Sequence, residues 1–193
     1  MRTLTLWTLA LMLVLGAAAC EPQPEAEDAT DAEALDAAAM TADLPDTTGA
    51  AVWSYLQDAG YASAWQHWPG KDPYYTGQEP HGMLLATYLN DVAYEALMGD
   101  AQQMPEGAIL VKENYTPDST LAAVTVMYKV ARYNPDHNDW FWTKHTADGS
   151  LDTTPDGMAM EGRLAGCQNC HGAQRQNDYV LTGNLGPGAP GGN

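Results

Sequence analysis

Hydrophobic and polar positions change their spacing several times along the chain, and each change predicts an element. Val52, Leu56 and Ala59 recur at helical intervals, which predicts a short helix through about Gln57. Trp65, His67, Trp68, Tyr74 and Tyr75 then lie among Pro69, Gly70, Pro73 and Gly77, a mixture that predicts a turning loop whose large side chains cover something apolar. From Gly82 to Met98 a stripe of Leu84, Leu85, Tyr88, Leu89, Val92, Ala93, Ala96 and Leu97, stopped by Gly99, predicts the strongest helix of the chain. The period then shortens. Residues 108–114 and 121–133 are rich in Val, Ile, Tyr and Thr and are separated by Pro117-Asp118, which predicts paired strands. Residues 139–146 predict a third strand, Ala147-Asp148-Gly149 a turn into a short fourth, and residues 158–171 a closing helix. The fold class expected is α+β: a single antiparallel β-sheet with helices packed on one face and a C-terminal helix.

The two ends follow different rules. Behind a single positive charge at Arg2, Leu4 to Leu15 form an apolar run that ends in Gly16-Ala17-Ala18-Ala19-Cys20. A spanning helix needs roughly 20 apolar residues, so this run is too short for a permanent anchor and residues 1–20 read as an export signal. Small residues running into Cys20 match a bacterial lipoprotein cleavage site, with Cys20 as the lipid-anchored N-terminus, although Ala17 stands where such sites usually carry Leu. Ordinary cleavage, giving a soluble periplasmic protein, is the alternative. Residues 21–48 hold nine acids, no Lys or Arg and no aromatic side chain, so they are expected to be a disordered tether. Residues 186–193 read as a flexible tail, which leaves a domain over 49–185.

The chain has 193 residues, 45% of them apolar, and a formal charge of -17. That charge repels a phosphate backbone and sets nucleic acid aside as a partner. Removing residues 1–48 takes away Arg2 and nine acids, leaving 7 basic against 16 acidic residues, or -9, which is ordinary solubility. The three cysteines are too few for a disulfide scaffold.

Two of those cysteines carry the chemistry. Cys167-Gln168-Asn169-Cys170-His171 is a C-x-x-C-H run, in which two thiols on one helical turn can form thioethers with the vinyl groups of a haem while the adjacent imidazole reaches the iron. A zinc half-site would need further ligands from scattered histidines, and a thioredoxin-like pair belongs in a parallel βαβ unit that the pattern does not show. Cys167, Cys170 and His171 are therefore the expected haem c residues, with His171 on the iron. Residues 172–193 contain no Met, His, Lys or Cys, so an open or water-bound distal face is expected, with Met83, Met98, Met127 and His81 as the upstream side chains able to close it.

Other residues are less specific. Strand alternation puts Lys112 on the face of Leu110 and turns Glu113 to the face of Ile109 and Val111. By propensity Lys112 reads as an edge lysine with a solvated head. Tyr115, Tyr128, Trp140, Phe141 and Trp142 read as core, with a haem-pocket lining as the alternative, and His137 and His145 as surface residues. Asn114-Tyr115-Thr116 fits a glycosylation acceptor that a bacterial export route makes irrelevant, and residues 134–139 read as a turn.

Pro80-His81-Gly82, the run from Gly107 to Glu113, Val126-Met127-Tyr128-Lys129-Val130, Asn138-Asp139-Trp140-Phe141-Trp142, and Gly166 through Ala173 ending in Asn177-Asp178-Tyr179 together resemble the cytochrome P-460 family. The β-sheet cytochromes c prime are its relatives. The resemblance implies an antiparallel-sheet protein with one covalent haem c and its iron, Cys167 and Cys170 in thioether linkage and His171 proximal. Members of the P-460 branch also bond a strand lysine to the porphyrin and oxidise hydroxylamine, and Lys112 matches that lysine as a cofactor-binding and catalytic residue. The resemblance thus implies a small nitrogenous substrate or ligand and a partner cytochrome as electron acceptor; a homodimer is one assembly open to the chain. A gas-binding c prime-like protein or a plain electron carrier is the alternative.

Overall fold

The computed structural model describes residues 44–99 and 101–185. The export segment, the tether up to residue 43 and the tail 186–193 lie outside the described residues. In chain order the elements are helices α1 (Gly49–Asp58) and α2 (Tyr61–Ala64), strands β1 (Gln66–His67), β2 (Tyr75–Thr76) and β3 (Leu84–Leu89), helix α3 (Asp91–Met98), strands β4 (Ile109–Tyr115), β5 (Leu121–Lys129), β6 (Trp140–Thr146) and β7 (Glu161–Gly162), and helix α4 (Ala165–His171). All seven strands join one antiparallel sheet in the order β1-β3-β4-β5-β6-β7, with β2 beside β1 along the outer edge of β3. The α+β class is as expected.

Alternation decides what each face of the sheet meets. Ile109, Val111, Val124, Val126 and Phe141 face α1 and pack on its buried Val52 and Leu56. Leu110, Met127, Trp140 and Trp142 face the other way, against Ala93 and Leu97 of α3. Helices therefore cover both faces, not one. The apolar run Ala108-Ile109-Leu110-Val111 is the local cause, because a strand buried on both sides has no polar face to alternate with.

The same physics overturns the long helix expected over residues 82–98. Its first half is β3, paired on both sides and buried on both faces, and only its second half is helical. Asn90 makes the switch. Its side-chain oxygen accepts the Ala93 N–H at 3.1 Å as the helix cap and the Ile109 N–H at 3.0 Å, while its amide donates to the Gly107 carbonyl at 2.8 Å. One buried amide ends a strand, starts a helix and secures the next strand.

Other expectations also need correction. Packing extends to residues before 49, since half-buried Leu44 packs on the α1 face and the Thr48 hydroxyl caps α1. The closing helix is α4 alone, because residues 158–162 continue the sheet: Met160 bonds Asp152 and Lys144, and Gly162, at φ +94, breaks any helix there. The turn at residues 147–149 leads to an isolated bridge between Leu151 and His145, and the named strand comes later, as β7. Residues 130–133 fall outside β5. The aromatic loop is not wholly irregular: it contains β1 and β2, and its Trp68 is buried against Leu89 and Val180, which fits the expected cover. His145 is 1% exposed, stacked on Trp53 at 4.8 Å, because α1 closes over that end of β6. His137 is half-buried and bonded to the Tyr179 hydroxyl at 3.1 Å.

Candidate functional site

On the α3 side of the sheet lies a cavity of about 790 Å³, within the ~300–1,000 Å³ usual for cofactor sites and lined largely by apolar side chains. Helix α4 forms one wall and brings Cys167, Cys170 and His171 into it on consecutive turns. Cys167 is half-buried and Cys170 exposed, and no disulfide joins them. Burial pushes the Cys167 thiol up to about 11, the opposite of an activated thiolate.

His171 is held from behind. Its Nδ1–H donates to the Tyr179 carbonyl at 2.7 Å, which leaves Nε2 as the atom with a free lone pair. That carbonyl is aimed by left-handed backbone at Asp178 and Tyr179, φ +50 and +66, and by the Trp140 indole N–H, which donates to the Asp178 carbonyl at 2.8 Å. Trp142 packs its ring 4.7 Å from His171. Burial lowers the affinity of His171 for a second proton, keeping the neutral form that binds metals.

Lys112 also lines the cavity, on the face of Leu110 as alternation requires. It is no edge residue, since β4 is paired on both sides. Its ammonium has no hydrogen-bond or ion-pair partner among the described residues, and burial pulls it down to about 8. Glu113 points to the opposite face, where it is buried under the hydroxyls of Tyr61, Tyr88 and Tyr115 at 2.9, 3.1 and 2.6 Å. Of the upstream candidates, His81, Met83 and Met127 line the cavity and Met98 does not. Tyr115 and Trp142 line it as well, whereas Tyr128, Trp140 and Phe141 are core.

The donor set fits a haem. Two thiols and an imidazole with Nε2 free lie on one helix, and cavity-lining Trp142 keeps a buried indole N–H without a partner among the described residues. Among the described residues no group of three or more His, Cys, Asp or Glu comes together to hold a bare metal ion, so the extra ligands of a closed zinc site are missing. All strand pairings there are antiparallel, which removes the setting of a thioredoxin-like pair. The lining carboxylates are Glu79, which is exposed, and Asp152, which pairs with Lys144 at 2.8 Å.

Two contributors escaped the reading of single residues. Asn114 donates to the carbonyls of Lys112 and Ala123 at 2.9 and 3.1 Å and accepts from His81 Nδ1 at 2.9 Å; its place two residues after Lys112 on one strand was the available signal. The Asp178 clamp behind His171 had no local signal, because its partners come from residues 104, 129, 138 and 140. No curated protein matches the chain. The family model described as Cytochrome P460 does, over residues 62–182, a span that holds β1 to β7, α4 and all of the residues gathered here. The chain belongs to the Cytochrome P460 family, and that membership implies haem and iron as its cofactors.

Proposed function

We propose that this protein is an exported c-type cytochrome that exchanges electrons through one covalently held haem. The observation that carries the reading is the C-x-x-C-H helix forming a wall of an apolar, haem-sized cavity, with His171 fixed by the Tyr179 carbonyl. Cys167 and Cys170 would supply the thioethers and His171 the axial nitrogen, and the group so held brings one-electron chemistry at iron. The chain's own part is to exclude water from the apolar wall and to orient the His171 ring. The export signal at residues 1–20, lipidation at Cys20 and a partner cytochrome as electron acceptor belong to this proposal. The test is expression in a host able to install haem c: the mature protein should carry one haem resistant to acid extraction, and Cys167→Ala with Cys170→Ala should abolish it. A mature wild type weighing no more than its amino acids would sink the reading.

A second reading, oxidation of hydroxylamine or a related small nitrogen compound, is favoured by Lys112, a lysine in the cavity wall without a partner among the described residues and with a lowered proton affinity. Neither carboxylate among the described lining residues is placed as a sheltered base for substrate protons, since Glu79 is exposed and Asp152 is taken by Lys144, which leaves the His81 imidazole as the basic side chain there. A haem peptide that contains Lys112 after digestion, together with turnover of hydroxylamine, would favour the enzyme over the carrier.

A further inference from the structure

His81 and His171 both line the cavity, and their ring centres lie 5.9 Å apart with the ring planes at 82°. We propose that His81 is the second axial ligand of the haem iron, so that the metal is closed on both sides at rest. The proposal rests on the haem reading above and replaces the open distal face expected from residues 172–193.

Spacing is the first argument. Metal–imidazole bonds of about 2 Å put the ring centres of two imidazoles on one metal roughly 6 Å apart. The observed separation is compatible with that value; edge-on rings in direct contact reach it too, as His137 and Tyr179 do at 5.9 Å, so spacing permits the pairing and the free nitrogens argue it.

The second argument is which nitrogen is free. The Asn114 amide nitrogen faces the carbonyls of Lys112 and Ala123, which can only accept, so the orientation of this amide is fixed. Its oxygen therefore faces His81, and His81 Nδ1 must carry the proton that bonds it at 2.9 Å. That leaves the His81 Nε2 lone pair uncommitted. His171 is in the same tautomer, with Nδ1 given to the Tyr179 carbonyl. Each ring is thus held at its outer nitrogen by an acceptor and offers the other, the arrangement of metal-bound histidines generally.

The third argument is that the loop carrying His81 is anchored. Gly77 N–H bonds the Met83 carbonyl at 3.0 Å and His81 N–H the Gln78 carbonyl at 3.1 Å. Gly82 lies at φ +94, and a Cβ there would come within 2.9 Å of the Tyr115 carbonyl oxygen, so the loop is seated directly on the end of β4. Of the other upstream candidates, Met83 is 52% exposed, Met98 is 49% exposed and outside the cavity, and Met127 lines the cavity but packs in the α3-side core.

The experiment is optical and electron paramagnetic resonance spectroscopy of the haem-loaded ferric protein, with haem content measured separately as the pyridine complex. A low-spin wild-type signal of the strongly anisotropic kind given by crossed imidazoles is expected. His81→Ala should keep its haem and become high-spin, and added imidazole should restore the low-spin form. His81→Met should retain six-coordination and gain a sulfur–iron charge-transfer band. A haem-loaded wild type that is already high-spin overturns this proposal and leaves the haem reading intact. A His81→Ala protein that stays low-spin overturns it too, and points to Lys112 or Met127 as the ligand. A wild type without haem overturns both readings.

Discussion

Lys129 and Asp178 form a buried pair, the Lys129 Nζ lying 2.8 Å from each carboxylate oxygen, and this pair holds the turn that hands His171 its acceptor. Asp178 is 0% exposed and also takes the Met104 N–H and the Asn138 amide, both at 2.8 Å. The residue after it supplies the carbonyl on His171. A charge so enclosed has no water to fall back on, and removing one partner strands the other.

Asp178→Asn should therefore destabilise the protein by about 3–5 kcal/mol, read from urea unfolding. Lys129→Met with Asp178→Leu should cost less than Asp178→Asn alone, since it leaves no stranded ion. The reverse order would show that the pair's charge is not what matters.

Replacing Glu113 by Gln should cost about 1–3 kcal/mol, because three phenols lose a charged acceptor. Burial first, and the Glu113 charge second, keeps Tyr61 and Tyr88 above the ordinary tyrosine range. Taking the negative charge away favours phenolate, so alkaline titration followed by ultraviolet absorbance should show these tyrosines ionising at lower pH in the variant than in the wild type.

In chain prepared without haem, Lys112 carries a stability signature. Its folded value of about 8 lies below the unfolded one of about 10.4, so between these pH values the unfolded chain binds more protons and stability rises with pH. The gain should be about 1–3 kcal/mol, reduced by the partial exposure of the side chain. Lys112→Met should abolish the slope; a slope unchanged in the variant would place its origin elsewhere.

Gly82→Ala should cost about 1–2 kcal/mol from the positive φ alone, with the approach to the Tyr115 carbonyl added. It should also disturb His81 without touching it, so the variant's haem should show a mixture of spin states while Gly70→Ala, in the loop before β2, should not.

Much of this was legible one residue at a time. Period-two alternation separated Lys112 from Glu113, and the structure puts them on opposite faces. The C-x-x-C-H spacing needed only one helical turn to be right, and α4 provides it. Alternation failed where it had nothing to alternate with: residues 84–89 are buried on both sides, and a short apolar run of that kind cannot be told from a helix without knowing that Asn90 bonds Gly107 and Ile109. His145 was misplaced for a related reason, because Trp53, more than ninety positions earlier in the chain, supplies its cover. Long-range closure of this sort leaves no mark on neighbouring residues.

The sheet divides its labour between its two sides. Val52, Leu56, Ile109, Val111, Val124, Val126 and Phe141 make a continuous apolar layer behind β4 and β5 that does not depend on α4. The back of the molecule is thus a scaffold and the front a workshop, so a side chain pointing into the cavity can be exchanged while the frame that carries it keeps its own packing.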